Sequence, residues 1–182
     1  MRSFYFYSLA YASSLFSCPF CDPEVIQKQS FLSEGTALGI CTNHPMMPGH
    51  VLVIPQRHVE RFEELTDEEV SDLGAAIRRV HEAAKVLFGN NDYLLLQKNG
   101  KAAGQSVPHV HYHYYPRSEK MGTIGFIWRF LIAPYRRART DAQLREQASA
   151  WKRVLGSRKV VVFFDAPNED LPTSPVCAER LF

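Results

Sequence analysis

Net charge is almost absent from this sequence. Its 21 lysines and arginines nearly balance its 19 aspartates and glutamates, which leaves a formal charge of +2 at pH 7. Because a protein that binds DNA or RNA usually presents a strongly basic surface, we expect no nucleic acid among its partners. Arg129, Arg136, Arg137 and Arg139 form a local basic cluster, and such a cluster is most often a solvated face.

Long apolar runs are also missing. A membrane-spanning helix needs about 20 consecutive apolar residues, and the sequence has no run of that length, so we expect no membrane partner. Residues 2–12 carry one positive charge and an Ala-x-Ala pattern, as a signal peptide does, but their apolar run is short and rich in tyrosine and serine. We therefore interpret residues 1–17 as an N-terminal extension and expect no export.

Cysteine is scarce and irregularly spaced. The four cysteines lie at positions 18, 21, 41 and 177, which is no framework for a disulfide-rich fold. Cys18 and Cys21 form a close Cys-Pro-Phe-Cys pair, which in a chain of this size indicates metal binding or redox chemistry. We expect a reducing, cytoplasmic compartment for this reason.

The sequence does contain a clear succession of strand and helix patterns. Apolar runs at 36–41 and 50–55, separated by turn residues, predict an antiparallel pair of strands. A helix follows from Thr66, which forms a capping box with Glu69, to the stop at Gly89. Its apolar stripe predicts packing on a sheet, and comprises Val70, Leu73, Ile77, Val80, Ala84 and Leu87. With further strand patterns at 93–98 and 109–115, this order predicts an α+β sheet domain.

The signal is weaker after residue 117. Thr140 and Gln143 predict the cap of a second helix, in which Leu144, Ala148 and Trp151 begin an apolar stripe. Residues 160–164 have the composition of a short strand, and the tail from residue 166 is rich in proline and acidic residues, which is typical of a loosely held extension.

Residues 104–117, Gly-Gln-Ser-Val-Pro-His-Val-His-Tyr-His-Tyr-Tyr-Pro-Arg, carry the strongest signal. If they form a strand, His109, His111 and His113 share one face. Successive histidines would lie about 6.6 Å apart, at a rise of about 3.3 Å per residue, so one small ligand reaches one or two of them. Three histidines that simply face solvent, or a His-x-His metal half-site, are the alternatives.

This stretch resembles the signature of the histidine triad (HIT) family of nucleotide hydrolases and transferases. The resemblance extends over residues 18–128 and includes the Gly-Gln-Ser-Val run before the triad. It implies a HIT-like antiparallel sheet of about five strands with the main helix on one face, doubled by a homodimer. We accordingly expect a HIT domain over 18–135 and a C-terminal extension over 136–182. Residues 50–62 resemble the dinucleoside polyphosphate hydrolase branch.

The resemblance also assigns roles at the site. It implies that His111 is the nucleophile and that His113 stabilises the phosphate charge. It places Gln105 and Ser106 at the phosphates and the leaving group, and Asn99 on the phosphate side, although polar turn residues would look the same. Because the transferase branch carries glutamine at the last triad position, His113 favours a hydrolase.

The ribose contact departs from the family pattern. Many members place Asp or Asn eight residues before the histidine that corresponds to His50, whereas this chain has Thr42 there and Asn43 one residue later. Thr42 can still form a hydrogen bond, but the charge-assisted bond of a carboxylate is lost. We expect His50 to lie behind the catalytic histidines, with an ordinary core histidine as the alternative.

A second constellation comprises Cys18, Cys21, His58 and His109. Two thiolates and two imidazoles suit tetrahedral zinc, and a closed site with four protein ligands is structural. The set resembles the zinc site of several bacterial HIT proteins, whereas buried free thiols beside two unrelated histidines are the alternative. If zinc binds here, His109 is withdrawn from catalysis.

Three functions remain open from the sequence. The first is a nucleotide hydrolase that cleaves a dinucleoside polyphosphate or a nucleoside phosphoramidate through nucleotidyl-His111, needs no catalytic cofactor on the protein and accepts a substrate that carries magnesium. The second is a metal-dependent hydrolase that uses all three triad histidines, which their spacing disfavours. The third is a nucleotide-binding module with little turnover.

Overall fold

Five strands form one antiparallel sheet. The computed structural model describes residues 18–89, 91–118, 122–132 and 137–157. The strands are β1 (Ser30–Glu34), β2 (Ala37–Cys41), β3 (Val51–Pro55), β4 (Asp92–Gln97) and β5 (Tyr112–Arg117). Their order across the sheet is β1-β2-β3-β5-β4, and each neighbouring pair is antiparallel. The predicted α+β class and antiparallel sheet are confirmed.

Among the described residues, four helices accompany the sheet: α1 (Pro23–Gln29), α2 (Asp67–Phe88), α3 (Thr123–Ile132) and α4 (Asp141–Gly156). Short 3-10 turns lie at Phe62–Glu64 and Lys101–Ala103. Across the described ranges, no helix combines the length and the apolar content that a membrane span requires. The expected extension over 1–17 and the expected strand at 160–164 lie outside the described residues.

The central strand β3 is buried along its whole length. It pairs with β2 on one side and with β5 on the other. Its run of valine, leucine and isoleucine suits a position covered on both faces, because β-branched side chains pack well on a pleated surface. The predicted pairing of the 36–41 and 50–55 segments is therefore confirmed.

Helix α2 has the predicted ends. The Thr66 hydroxyl accepts a hydrogen bond from the Glu69 amide, and Gly89 ends the helix at a φ of 64°. The face toward the sheet is buried, and includes Leu73, Ala76, Val80, Ala83 and Ala84. Val70, which the stripe included, is exposed, and Glu69 is buried in its place because its carboxylate accepts two hydrogen bonds from Arg57.

The β1–β2 hairpin is fastened to α2. Gly35 takes a φ of +52°, and a Cβ added there would lie 2.2 Å from the Asp72 carboxylate, so only glycine fits this turn. The same carboxylate accepts hydrogen bonds from the backbone N–H and the hydroxyl of Thr36, at 2.7 and 2.8 Å. The turn residues therefore fix the distance between the hairpin and the helix.

The triad strand begins later than its pattern predicts. Hydrogen-bonded pairing starts at Tyr112, so His109 and His111 precede β5 and only His113 belongs to it. In the register of β3 and β5, Pro55 would stand opposite Val110, and proline has no N–H to donate to the ladder. The Val110 N–H instead donates to the Val59 carbonyl at 2.6 Å.

Helix α4 packs onto the same core. The rings of Trp151 and Phe31 stack at 4.9 Å between centroids, and Phe88 lies 5.8 Å from the same indole. Trp151 is 1% exposed. Thr140 and Gln143 form the predicted capping box. The helix predicted from this pattern therefore contributes its apolar stripe to the core beneath β1 and α2.

We expect Trp151→Ala to lower the free energy of unfolding by about 3–5 kcal/mol, because it removes a buried aromatic ring from the core. Urea denaturation followed by far-UV circular dichroism measures the change. Lys152→Ala alters the neighbouring exposed position and should change stability by no more than about 0.5 kcal/mol. Equal effects of the two substitutions would show that α4 is not part of the folding unit.

Candidate active site

The candidate site lies on the face of the sheet opposite α2. His113 pairs with Leu52 of β3, and Leu52 pairs with Ile40 of β2. Because residues directly opposite one another in an antiparallel sheet point to the same face, His113 stands beside an apolar row. Phe20 and Ile26 pack against this row from the N-terminal side. The site therefore combines a histidine with an apolar floor.

One hydrogen bond decides the protonation of His111. Its Nδ1 lies 2.7 Å from the carbonyl oxygen of His109. A carbonyl oxygen only accepts, so Nδ1 carries the hydrogen and Nε2 keeps its lone pair. Burial lowers the pKa of His111, which favours the neutral ring. The ring therefore keeps a lone pair on Nε2, which is the form that nucleophilic attack requires.

His113 presents the opposite tautomer. The backbone N–H of Met46 donates to His50 Nδ1 at 3.1 Å, so the neutral ring of His50 carries its hydrogen on Nε2. That Nε2 lies 3.0 Å from His113 Nδ1 and donates to it. The hydrogen of His113 is therefore on Nε2, where it can be donated to a ligand.

The hydrogen bonds from the Met46 amide to His50 and from His50 to His113 form a relay. Both of its imidazole rings are neutral because they are buried. Burial lowers the pKa of His50 well below its ordinary value, with the neighbouring His113 adding to the fall. Burial lowers the pKa of His113 to about 3, with further contributions from His111 and from the charge of Lys98. The relay from Met46 to His113 is thus set by neutral imidazoles at pH 7.

Aromatic contacts hold the two site histidines in place. The rings of His111 and His113 meet edge to face at 5.0 Å between centroids. Phe20 contacts His111 on one side at 5.4 Å, and Tyr115 stacks parallel to His113 on the other at 5.7 Å. A lone pair and an N–H donor therefore lie side by side on two rings that have little freedom to turn.

The loop between β4 and β5 uses two predicted substrate-binding residues internally. Asn99 accepts a hydrogen bond from the Phe62 amide at 2.9 Å and donates to Glu63 at 2.7 Å. Gln105 accepts from the Gly100 amide at 2.6 Å, and its amide nitrogen donates to the carbonyl oxygens of residues 60 and 109. Both side chains shape the loop, and their contact with substrate stays a prediction.

The hydroxyl of Ser106 behaves differently. It is exposed and has no hydrogen-bond partner among the residues that the structure describes. Lys98, which the sequence analysis did not single out, also comes close to the site, because its charge acts on both His111 and His113. Nothing in the sequence around Lys98 marks it as a site residue, because only the pairing of β4 with β5 brings the end of β4 close to the histidines.

The predicted ribose-binding residues lie next to His50. The register of β2 and β3 pairs Cys41 with Val51, so Thr42 and His50 are the next residues at the same end of these two strands. The Thr42 hydroxyl accepts a hydrogen bond from the His44 amide at 3.3 Å, and Asn43 is exposed. The pair is thus placed beside the site, and its role stays a prediction.

The four predicted metal ligands converge. The ligand atoms of Cys18, Cys21, His58 and His109 all lie within 4.8 Å of one another, in a group that could hold a metal ion. His109 Nε2 donates to the Pro55 carbonyl at 3.0 Å, which leaves the Nδ1 lone pair directed at the two thiols. Burial, and then the neighbouring Cys18 thiol, raise the pKa of the Cys21 thiol.

Comparison with known proteins agrees with this geometry. The HIT domain model matches residues 24–120, which is more than half of the chain. The chain belongs to the HIT family. The bis(5'-nucleosyl)-tetraphosphatase [asymmetrical] of Schizosaccharomyces pombe is 44% identical over 75 residues, which cover 41% of each chain. The adenosine 5'-monophosphoramidase of the same organism is 37% identical over 84 residues, covering 46% of this chain and 60% of the relative.

A solved structure from this HIT family also resembles the fold. It is a zinc-bound histidine triad family protein from Mycobacterium smegmatis, with a TM-score of 0.57 and 25% identity. The match covers 76% of this chain and 93% of that one. The chain spans less than two thirds of the length of both curated relatives described above.

The two site histidines should show opposite tautomers at pH 7. In ¹⁵N-detected histidine spectra we expect the hydrogen on Nδ1 of His111 and on Nε2 of His113. The exposed His44 should show the tautomer average of a solvated imidazole and serves as an internal reference. Single His→Gln substitutions assign the signals. A hydrogen on Nε2 of His111 would contradict the arrangement described for the site.

Proposed function

We propose that this protein is a HIT-type nucleotide hydrolase, which cleaves a dinucleoside polyphosphate or a nucleoside phosphoramidate at the α-phosphorus. The observation that carries the proposal is the hydrogen bond from His111 Nδ1 to the His109 carbonyl. It leaves a nucleophilic Nε2 beside the N–H donor of His113, as attack on a phosphate requires.

In the first step, the lone pair of His111 Nε2 forms a bond to the α-phosphorus. The bond from phosphorus to the leaving group breaks, and the leaving group takes the electron pair, with a proton from solvent when it is an amine. The imidazole becomes positively charged, which strengthens its hydrogen bond to the His109 carbonyl. His113 Nε2–H donates to a non-bridging oxygen and offsets the charge that develops there.

In the second step, water attacks the phosphorus of nucleotidyl-His111. The P–N bond breaks, its electron pair returns to Nε2, and the mononucleotide leaves with the oxygen of the water, whose proton is released to solvent. The apolar row of Ile40 and Leu52, with Phe20 and Ile26 against it, is our proposed seat for the nucleobase.

The substrate classes follow from the chemistry of the site and from the relatives. Thr42 and Asn43 are proposed ribose contacts, and Ser106 is a proposed donor to the phosphate side or the leaving group. The names of the two Schizosaccharomyces relatives cover both a dinucleoside tetraphosphate and an adenosine phosphoramidate, so both kinds of leaving group are proposed here.

We also propose a structural zinc ion held by Cys18, Cys21, His58 and His109. Zinc–ligand bonds of about 2.0–2.3 Å with tetrahedral angles separate neighbouring ligand atoms by about 3.5 Å. The sulfur–nitrogen distances in the structure are 3.3, 3.4 and 3.6 Å. The ion would link the segment before α1 to the loop after β3 and to the start of the triad, and so support the strand that carries His111.

A metal shared by the three triad histidines fits the geometry less well. His109 turns its free Nδ1 toward the thiols, and the Nδ1 of His111 is used by a carbonyl. The nitrogen still available on His109 is Nδ1, which faces the thiols, whereas the one available on His111 is Nε2. The two rings therefore do not direct their free nitrogens at one shared ion. A nucleotide-binding module with little turnover would keep the same geometry, and only an activity measurement distinguishes it.

We propose a homodimer in the cytoplasm. Strand β4 is an edge of the described sheet, and Tyr93, Leu94 and Leu95 on it are exposed, as is Val86 of α2. An exposed apolar edge favours pairing with a second copy. A reducing compartment would keep Cys18 and Cys21 reduced, so that both thiols can lose their protons when a metal binds.

His111→Ala should lower mononucleotide release by at least about a thousandfold, because it removes the proposed nucleophile. Release is measured chromatographically from diadenosine tetraphosphate and from adenosine phosphoramidate, with protein that has been treated with chelator and shown to remain folded. His44→Ala alters an exposed histidine outside the site and should be as active as the wild type. Activity that requires added metal would instead support the metal-dependent hydrolase.

The purified protein should contain about one zinc ion per chain, since the four ligands form one closed site. Cys18→Ala should abolish this content and lower the midpoint of thermal unfolding, both measured on protein expressed with added zinc. Cys41→Ala provides the matched control. Because Cys41 lies in the core and is not one of the four ligands, this variant should keep its zinc. Equal zinc content in the two variants would refute the proposed ligand set.

A further inference from the structure

The sheet register brings Lys98 beside the proposed nucleophile. β4 and β5 pair Leu96 with His113 and Gln97 with Tyr112, and Lys98 lies two residues after Leu96, so its side chain continues on the face of Leu96. Opposite residues of an antiparallel pair point to the same face. Lys98 therefore lies on the face that carries the site, and its charge acts on both site histidines.

The ammonium group lies against the loop that precedes the triad. A Cβ added to Gly104 would come within 3.5 Å of Lys98 Nζ and 3.7 Å of Lys98 Cδ. Gly104 has a φ of +81°, a conformation that side chains rarely adopt, and the lysine stem runs past it. Gln105 and Ser106 follow immediately, so Lys98 Nζ is placed where this loop meets the site.

No carboxylate in the described part of the chain neutralises this charge. Arg57 pairs with Glu69, and Arg61 pairs with Glu63, at the neighbouring loop. Within the described ranges, Lys98 has no acidic group inside 4.0 Å, although it is partly buried. Among the described residues, the ammonium is therefore a positive charge at the edge of the site that no negative charge compensates.

We infer that Lys98 binds the phosphate chain of the substrate and selects substrates with an anionic leaving group over those with a neutral one. This inference rests on the proposed hydrolase function and specifies its substrate class. When the α-phosphorus of a dinucleoside polyphosphate is attacked, the P–O bond breaks and its electron pair adds one negative charge to the departing nucleoside phosphate. An ammonium group nearby stabilises that charge, particularly in a partly buried site.

A phosphoramidate gains less from the same lysine. Its P–N bond breaks, and the nitrogen takes up a proton from solvent and leaves as an uncharged amine or ammonia. Lys98 then acts only on the single charge of the α-phosphate, which both substrate classes share. Lys98 therefore separates the two classes that the remainder of the site accepts alike.

Lys98→Gln tests this inference through the ratio of two specificity constants. We expect kcat/KM for diadenosine tetraphosphate to fall by about tenfold or more, and that for adenosine phosphoramidate by less than about threefold. Lys98→Arg keeps the charge and should restore most of the preference. Lys101→Gln removes an exposed charge three residues away and should leave both constants unchanged.

Salt provides a second reading of the same charge. The kcat/KM of the wild type for diadenosine tetraphosphate should decrease with ionic strength more steeply than that of Lys98→Gln, because one attraction has been removed. Equal losses for the two substrates, or equal salt slopes, would overturn the role of Lys98 in selection while the hydrolase function stands.

A binding measurement separates failure of this inference from failure of the proposed function. Calorimetry compares His111→Ala with His111→Ala/Lys98→Gln for both substrates, without turnover. Loss of affinity for diadenosine tetraphosphate alone supports Lys98 even if the wild type releases no mononucleotide. Unchanged affinity for diadenosine tetraphosphate contradicts the inference whether or not the protein proves to be a hydrolase.

Discussion

The hydrogen bond between His111 Nδ1 and the His109 carbonyl is the interaction on which the site depends. It decides which nitrogen of His111 keeps a lone pair, and the 109–111 backbone that forms it precedes the ladder of β5. That backbone is held by two further contacts, from His109 Nε2 to the Pro55 carbonyl and from the Val110 amide to Val59. The end of one strand thus determines the chemistry at the start of another.

The group of four metal ligands extends the same constraint. Because His109 donates through Nε2, its other nitrogen is available to the thiols, and the histidine that supplies the carbonyl to His111 also belongs to the metal group. A bound ion would therefore act on His111 through the backbone of one residue, His109. This connection explains how a structural group and a reactive group can occupy adjacent positions of a short motif with separate duties.

Much of the fold follows from local chemistry that the sequence displays. The capping boxes at Thr66 and Thr140 and the stop at Gly89 locate two helices because each acts through its own neighbours. The predicted start of the triad strand, at His109, was wrong by three residues, because β5 is shortened by Pro55, which lies on a different strand. The tautomers of the site histidines depend on a carbonyl and on the Met46 amide, which a pattern of side chains does not reveal. The hydrogen bond from Asn99 to Glu63 could not be predicted either, because the two residues lie far apart in the sequence.

The placement of charge is the last feature that unites the site. Burial keeps the two histidines neutral. Each then offers one directed group, a lone pair on His111 and an N–H on His113. Lys98 adds a positive charge at the rim, where it is only partly buried and water can still solvate it. A cation buried among the rings would carry a large desolvation penalty, whereas one at the rim exchanges water for phosphate oxygen at little expense. In the proposed reaction, attack on phosphorus and recognition of the phosphate chain would therefore depend on different side chains.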